Sequence, residues 1–231
     1  MPLLLIAVII LASCNAQQNN NKLAAAMKAT EEQLQKEPGK QEHWQQLYVL
    51  LNNNYVAFTK AERIQWRAVL EKYAQWNTGK LYDDKEPGIK IIIKGYVRNA
   101  AGKPVAKAQL HIFQTDSRGY YTPLDSAEKK MGEPDARLFS FIINDSTGYF
   151  EIQTIRPASY PLQYKGQTIP QHVHINVTAQ GYTAKNMQMV FDDDVAMTAH
   201  WRAWAIQNDY PVLILGHAAP VRTGILDIVL K

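Results

Sequence analysis

The stretch LFSFIINDSTGYFEIQTI, residues 138–155, decides the fold. Two strand-like runs, Leu138 to Ile143 and Tyr149 to Ile155, are rich in aromatic and β-branched residues. Between them Asp145 and Gly148 supply a turn signal. The same unit recurs outward in both directions. Ile89 to Val97 precedes the turn signal Asn99 to Gly102, and Gln109 to Gln114 precedes Asp116 to Gly119. Downstream, Gln180-Gly181 separates His172 to Thr178 from Asn186 to Phe191, and Ile225 to Leu230 reads as a closing strand. Short strands with regularly placed turns predict a mainly β chain, an antiparallel β-sandwich. Ala196 to Ile206, with Trp201 and Trp204, reads as a short helix or an irregular excursion.

Upstream of Pro87 the texture is helical. Lys22 to Lys36 holds strong helix formers and is ended by Pro38-Gly39. Gln41 to Leu51 places Trp44, Leu47, Tyr48 and Leu51 on one face by i, i+3, i+4, i+7 spacing. Thr59 and Glu62 form a capping-box pair, with Trp66, Val69, Leu70 and Tyr73 following at helical spacing. Residues 22–85 are thus expected to form a helical layer packed on a sandwich of residues 86–231.

The chain has 231 residues, 46% hydrophobic and 20% charged, which suits one main domain with an appendage. The net charge of +4 is modest, and Lys and Arg are scattered, so no basic stripe for nucleic acid is present. Cys14 is the sole cysteine, which excludes an intrachain disulfide and a Cys-based zinc site. Pro2 to Ala12 is almost wholly apolar, too short to span a bilayer but suited to a signal-peptide core. Leu11-Ala12-Ser13-Cys14 resembles the lipobox of bacterial lipoproteins. That resemblance implies a signal peptide over 1–14, lipidation of Cys14 and an extracytoplasmic, membrane-tethered protein in the cell envelope. Residues 15–21, polar and aperiodic, then read as the tether. The chain departs from the signal-peptide pattern in having no Lys or Arg before the apolar run. A short membrane anchor or an ordinary signal with a chance cysteine is the alternative.

Chemistry is carried by few residues. In a strand, His172 and His174 project from the same face, so both imidazoles can reach one ion. Taken alone, such a pair equally describes packing or surface histidines. Tyr160 lies twelve residues before His172, and Tyr121 follows the Asp116 to Gly119 turn signal. Each tyrosine sits where a loop can aim it from the end of a sandwich into a site, although either alone also reads as a structural corner residue. Two phenolates with two neutral imidazoles form a hard, anionic set that suits ferric iron better than zinc or calcium.

Several motifs resemble the intradiol ring-cleavage dioxygenase family. Gly95-Tyr96-Val97, Gly102-Lys103-Pro104-Val105 and Ala108 are similar to its opening, which leads into a strand and a G-x-Y motif, here Gly119-Tyr120-Tyr121. Asp145 through Gly148, Thr154-Ile155-Arg156-Pro157 and Tyr160-Pro161 resemble its D-x-x-G-x-Y-x-F-x-T-I-x-P-x-x-Y-P, and His172-Val173-His174 its H-x-H. Leu226 to Leu230 looks like its closing strand. The resemblance covers about residues 86–231 and implies non-haem Fe(III) held by Tyr121, Tyr160, His172 and His174. It implies Tyr160 as the ligand that dissociates and takes a proton, and Gln188 as a substrate-positioning residue. The implied substrates are a catechol-type aromatic diol and O2, with ring opening between the hydroxylated carbons. The short interval from Tyr160 to His172 looks more like the protocatechuate branch than the catechol branch. One departure is Ile169, where the family usually carries an arginine that stabilises negative charge on the substrate; Arg118, Arg137 and Arg156 are candidates to replace it. The rival expectation is a catalytically degenerate envelope module that binds a ligand or carbohydrate, since the opening motif also resembles transthyretin-like domains. A third is metal-dependent chemistry on a different aromatic.

Overall fold

The computed structural model describes residues 3–125, 135–216 and 221–231, with side chains from residue 18 onward. Three helices lead: α1 (Leu3–Lys36), α2 (Gln41–Asn53) and α3 (Lys60–Lys72). The strands follow: β1 (Gln75–Trp76), β2 (Thr78–Lys80), β3 (Lys90–Asn99), β4 (Gln109–Gln114), β5 (Leu138–Ile143), β6 (Tyr149–Ile155), the hairpin β7 (Gln163–Tyr164) and β8 (Gln167–Thr168), β9 (His172–Thr178) and β10 (Lys185–Phe191). Then come α4 (Ala199–Gln207), β11 (Val212–Leu213), β12 (Arg222–Ile225) and β13 (Ile228–Leu230).

Two sheets face each other. One runs β1-β5-β4-β9-β10-β11, and the other runs β12-β3-β6-β2 with β13 also on β3. The long neighbours pair antiparallel, whereas the short edge strands β1, β2, β11, β12 and β13 join in parallel. The Asn144 to Gly148 turn carries the chain from one sheet to the other rather than making a hairpin. The expected closing strand is split in two, and the expected excursion near residue 200 contains the helix α4.

Alternation along β9 sets the position of the site. Val173, Ile175 and Val177 are fully buried between the sheets with Ile93, Ile112 and Phe150. Side chains of a strand alternate, so His172 and His174 leave from the opposite, outer face of the six-stranded sheet. The helical layer covers that face. Trp44, Leu47, Tyr48 and Leu51 of α2, and Met27 and Leu34 of α1, form a second core with Phe113, Tyr121, Phe139 and Phe141. Full burial of four large α2 side chains stabilises this packing by about 1.5–3 kcal/mol each.

Helix α3 starts at the expected capping box, with Thr59 N–H donating to Glu62 Oε2 at 2.7 Å and Glu62 N–H donating to Thr59 Oγ1 at 3.3 Å. Its most buried face differs from the apolar spacing: Arg63, Arg67 and Leu70 are buried, while Trp66, Val69 and Tyr73 are only partly so. The reason is electrostatic. Arg63 grips the buried Asp135 at 2.7 Å, and Arg67 lies 3.8 Å over the Phe139 ring with a bond to the Ala136 carbonyl. Residues 15–21 are helical in backbone, a continuation of α1, and the side chains of residues 18–21 are exposed. The side chain of Cys14 lies outside the described residues. Among the described residues no helix is long and apolar enough to cross a membrane.

Candidate metal centre

Two loops and one strand deliver the four predicted donors. Tyr121 follows a tight turn in which Gly119, at φ +88, donates its N–H to Asp116 O at 3.1 Å. Asp125 accepts the Tyr121 N–H at 3.0 Å and the Thr122 N–H at 2.9 Å, while Arg137 N–H donates to Tyr121 O at 2.8 Å. Tyr160 ends the loop after β6, and the exposed β7–β8 hairpin then spans the interval to His172. The tyrosine loops touch, because a side chain at Gly119 would lie 2.1 Å from Ser159 O.

The four donor atoms meet. Tyr160 Oη lies 2.9 Å from His172 Nε2, Tyr121 Oη lies 2.8 Å from His174 Nε2, and the two phenol oxygens contact each other. Tyr121, His172 and His174 are all at least 93% buried, and Tyr160 is partly open. They meet on the outer face of the six-stranded sheet, with Tyr121 in the core formed with the helical layer and Tyr160 packed against it. That face follows from the strand parity of β9.

Each imidazole is oriented and kept neutral. His172 Nδ1–H donates to Pro170 O at 2.7 Å, which fixes the tautomer and leaves the Nε2 lone pair facing Tyr160. His174 stacks on Phe113, its cross-strand partner, with centroids 4.5 Å apart and planes 2° from parallel. Burial lowers the pKa of both, His174 to about 3, where the nearby His172 and His111 add to the effect. Neutral nitrogens with inward lone pairs and two ionisable phenols are the donor types a trivalent cation takes, and the cation would displace the phenol protons now crowded between the heavy atoms. Among the described residues no three His, Cys, Asp or Glu side chains form a metal-binding group, so any metal here depends on the tyrosines.

The surrounding residues are partly as expected. Gln188 is half-buried and pairs with His174 across β9–β10, so it shares the donors' face of the sheet. Val190, its neighbour on that face, pairs with His172. Ile169 packs with Val190, Met197 and Trp201 in an apolar cluster beside the site. The three arginines considered as replacements are each held by a carboxylate: Arg118 by Asp116, Arg137 by Glu86 and Arg156 by Asp193. Phe113 and Pro170 were not read from the sequence as parts of the site. The i, i+2 pattern of β4 carried the signal for Phe113, because it places that ring on the face opposite Ile112.

A family model described as "Dioxygenase" matches residues 71–210, more than half of the chain. The chain belongs to the intradiol ring-cleavage dioxygenase family. Catechol 1,2-dioxygenase of Candida albicans is 28% identical, over 52% of this chain and 42% of that protein. Two solved structures share the fold. Mercury-inhibited catechol 1,2-dioxygenase from Acinetobacter sp. ADP1 superposes with a TM-score of 0.55 at 23% identity, over 68% of this chain and 57% of that one. The dioxygenase domain of a dioxygenase–carbohydrate-binding fusion from Streptomyces sp. SirexAA-E gives a TM-score of 0.50 at 25% identity, over 66% and 86% of the two chains. This family member spans less than half the length of the curated catechol dioxygenases it matches. These relatives carry catechol names, against the expectation of a protocatechuate-branch member; the compact β7–β8 hairpin lies within the short interval from Tyr160 to His172.

Proposed function

We propose that the chain is a non-haem Fe(III) dioxygenase that opens a catechol-type ring between its two hydroxylated carbons. The observation that supports this most is the convergence of Tyr121, Tyr160, His172 and His174 oxygens and nitrogens on one point. When bound, ferric iron supplies the Lewis-acid and redox chemistry that lets a catecholate ring react with dioxygen. Both atoms of O2 enter the product, a muconate-type dicarboxylate, so the reaction needs no external reductant.

The chain's residues divide the remaining work. Tyr121, His172 and His174 would hold the metal, fixed respectively by Asp125, Pro170 O and the Phe113 stack. Tyr160, the most exposed of the four, would complete the donor set and is placed to take a proton from an incoming diol at its Oη. Gln188 positions the ring from the neighbouring strand. Ile169, Val190, Met197 and Trp201 exclude water on that side and offer the substrate an apolar wall where the family usually presents a cation. Lipidation of Cys14 would hold the enzyme on the extracytoplasmic side of an envelope membrane.

Oxygen uptake by the iron-loaded protein against a panel of catechols tests the activity, with His172→Ala as the control. Uptake with muconate-type product, abolished in the variant, is expected. The apolar Ile169 cluster favours one rival, a degenerate module that binds a ligand without turnover. Iron-independent ligand binding that survives His172→Ala, with no uptake by the parent, would establish that rival instead.

A further inference from the structure

One peptide unit joins a buried carboxylate to a donor imidazole. The Gln171 N–H donates to Asp194 Oδ2 at 2.6 Å. The carbonyl of that same peptide, Pro170 O, accepts the His172 Nδ1 proton at 2.7 Å. Asp194 follows β10 and is buried, and its second oxygen accepts the Ala196 N–H at 3.0 Å. The Asp194–Ala196 turn needs only Oδ1. Oδ2 is free to reach across 23 residues to the segment before His172. The Gln171 side chain is held as well, its Oε1 accepting from Arg156 Nε at 2.6 Å, and Arg156 is itself fixed by Asp193 and the Phe191 ring.

We infer that Asp194 is a positioning residue for His172, acting through the Pro170–Gln171 peptide. The inference rests on His172 being a ligand of the proposed metal centre. An ionised acceptor makes a short, strong bond and polarises the peptide N–H, which shifts electron density onto the carbonyl oxygen. A richer carbonyl binds the Nδ1 proton more tightly, and that makes Nε2 a stronger donor. The peptide spacer passes on orientation and polarisation while keeping a full negative charge one peptide away from the donors. His174 is held by its stack on Phe113, so the effect of Asp194 should be confined to His172.

Asp194→Asn in the full chain, studied metal-free and iron-loaded, tests the inference. In the metal-free protein the His172 Nδ1–H resonance should move upfield with the His174 ring signals unmoved. In the loaded protein iron should bind about 10–100-fold more weakly and the phenolate-to-iron absorption band should shift. Arg202→Met is the control, because it cuts the 2.6 Å bond from Arg202 to Asp192 in the same loop without touching Asp194. Scalar couplings across both hydrogen bonds of the relay, measured on the unmutated chain, keep the test independent of how the variant folds. An unmoved Nδ1–H in Asp194→Asn, an equal shift in Arg202→Met, or absence of either coupling overturns the relay. A moved Nδ1–H in a protein that binds no iron upholds the relay and refutes the metal-centre reading alone.

Discussion

Gly119 is the point where the two tyrosine loops press together, so Gly119→Ala should damage the donor set from a distance. The backbone there sits at φ +88, and an added Cβ would fall 2.1 Å from Ser159 O. Real Cβ contacts stay above 3.0 Å, so the loops carrying Tyr121 and Tyr160 must part by at least 0.9 Å. The left-handed conformation costs a side chain about 1–2 kcal/mol, and forcing atoms into a packed contact about 1–3 kcal/mol more. A loss of at least about 2 kcal/mol lowers the melting temperature by roughly 4–8 °C in a chain of this size. Gly181 is the internal control, since its φ is +85 but nothing lies within 4 Å. Gly181→Ala should cost only the conformational part and leave iron affinity unchanged. Calorimetric iron titration and thermal unfolding of both variants decide the matter. Unchanged iron binding in Gly119→Ala, or equal effects in the two variants, would refute the argument that this contact sets the tyrosine spacing.

Other outcomes follow from the same geometry. Asp135→Asn leaves Arg63 buried without its anion and should cost about 3–5 kcal/mol in urea unfolding; because residues 135–137 lead to the Arg137 bond with Tyr121, iron affinity should fall with it. Phe113→Ala removes the ring under His174 and should cost about 3–5 kcal/mol, with a loss of iron binding larger than Gly181→Ala shows. His111, facing Arg67 and near His174, is held down to about 4 from an ordinary 6.5 by burial and by the Arg67 charge. The unfolded chain therefore takes up a proton between about pH 6.5 and 4 that the folded chain refuses. Stability of the metal-free protein falls as pH drops through that window, by up to about 3 kcal/mol from this residue, and levels off below it. His111→Gln should flatten the profile by that amount, and an unaltered slope would show that His111 does not carry it.

Much of the architecture was legible because burial leaves periodic traces. The β5 and β6 runs and the α2 face Trp44, Leu47, Tyr48 and Leu51 each reappear as expected, since those segments bury apolar side chains at one regular spacing. Arg63 and Arg67 were illegible by the same rule: a cation goes inside only when a distant partner receives it, and Asp135 and the Phe139 ring are far away in sequence. The four donors could be named from motif order. Their place on the outer face depends on which parity of β9 faces the second sheet, and Val173 and Ile175 decide that only once both sheets are present. Pro170 and Asp194 enter through a backbone carbonyl and an N–H, which leave no residue-type signature.

The position of the metal can be seen directly. Crystals of the iron-loaded chain, measured on both sides of the iron absorption edge, locate it without reference to catalysis. A single anomalous peak among Tyr121 Oη, Tyr160 Oη, His172 Nε2 and His174 Nε2 is the predicted result. A peak elsewhere, with the four side chains still hydrogen-bonded to one another, would contradict the account.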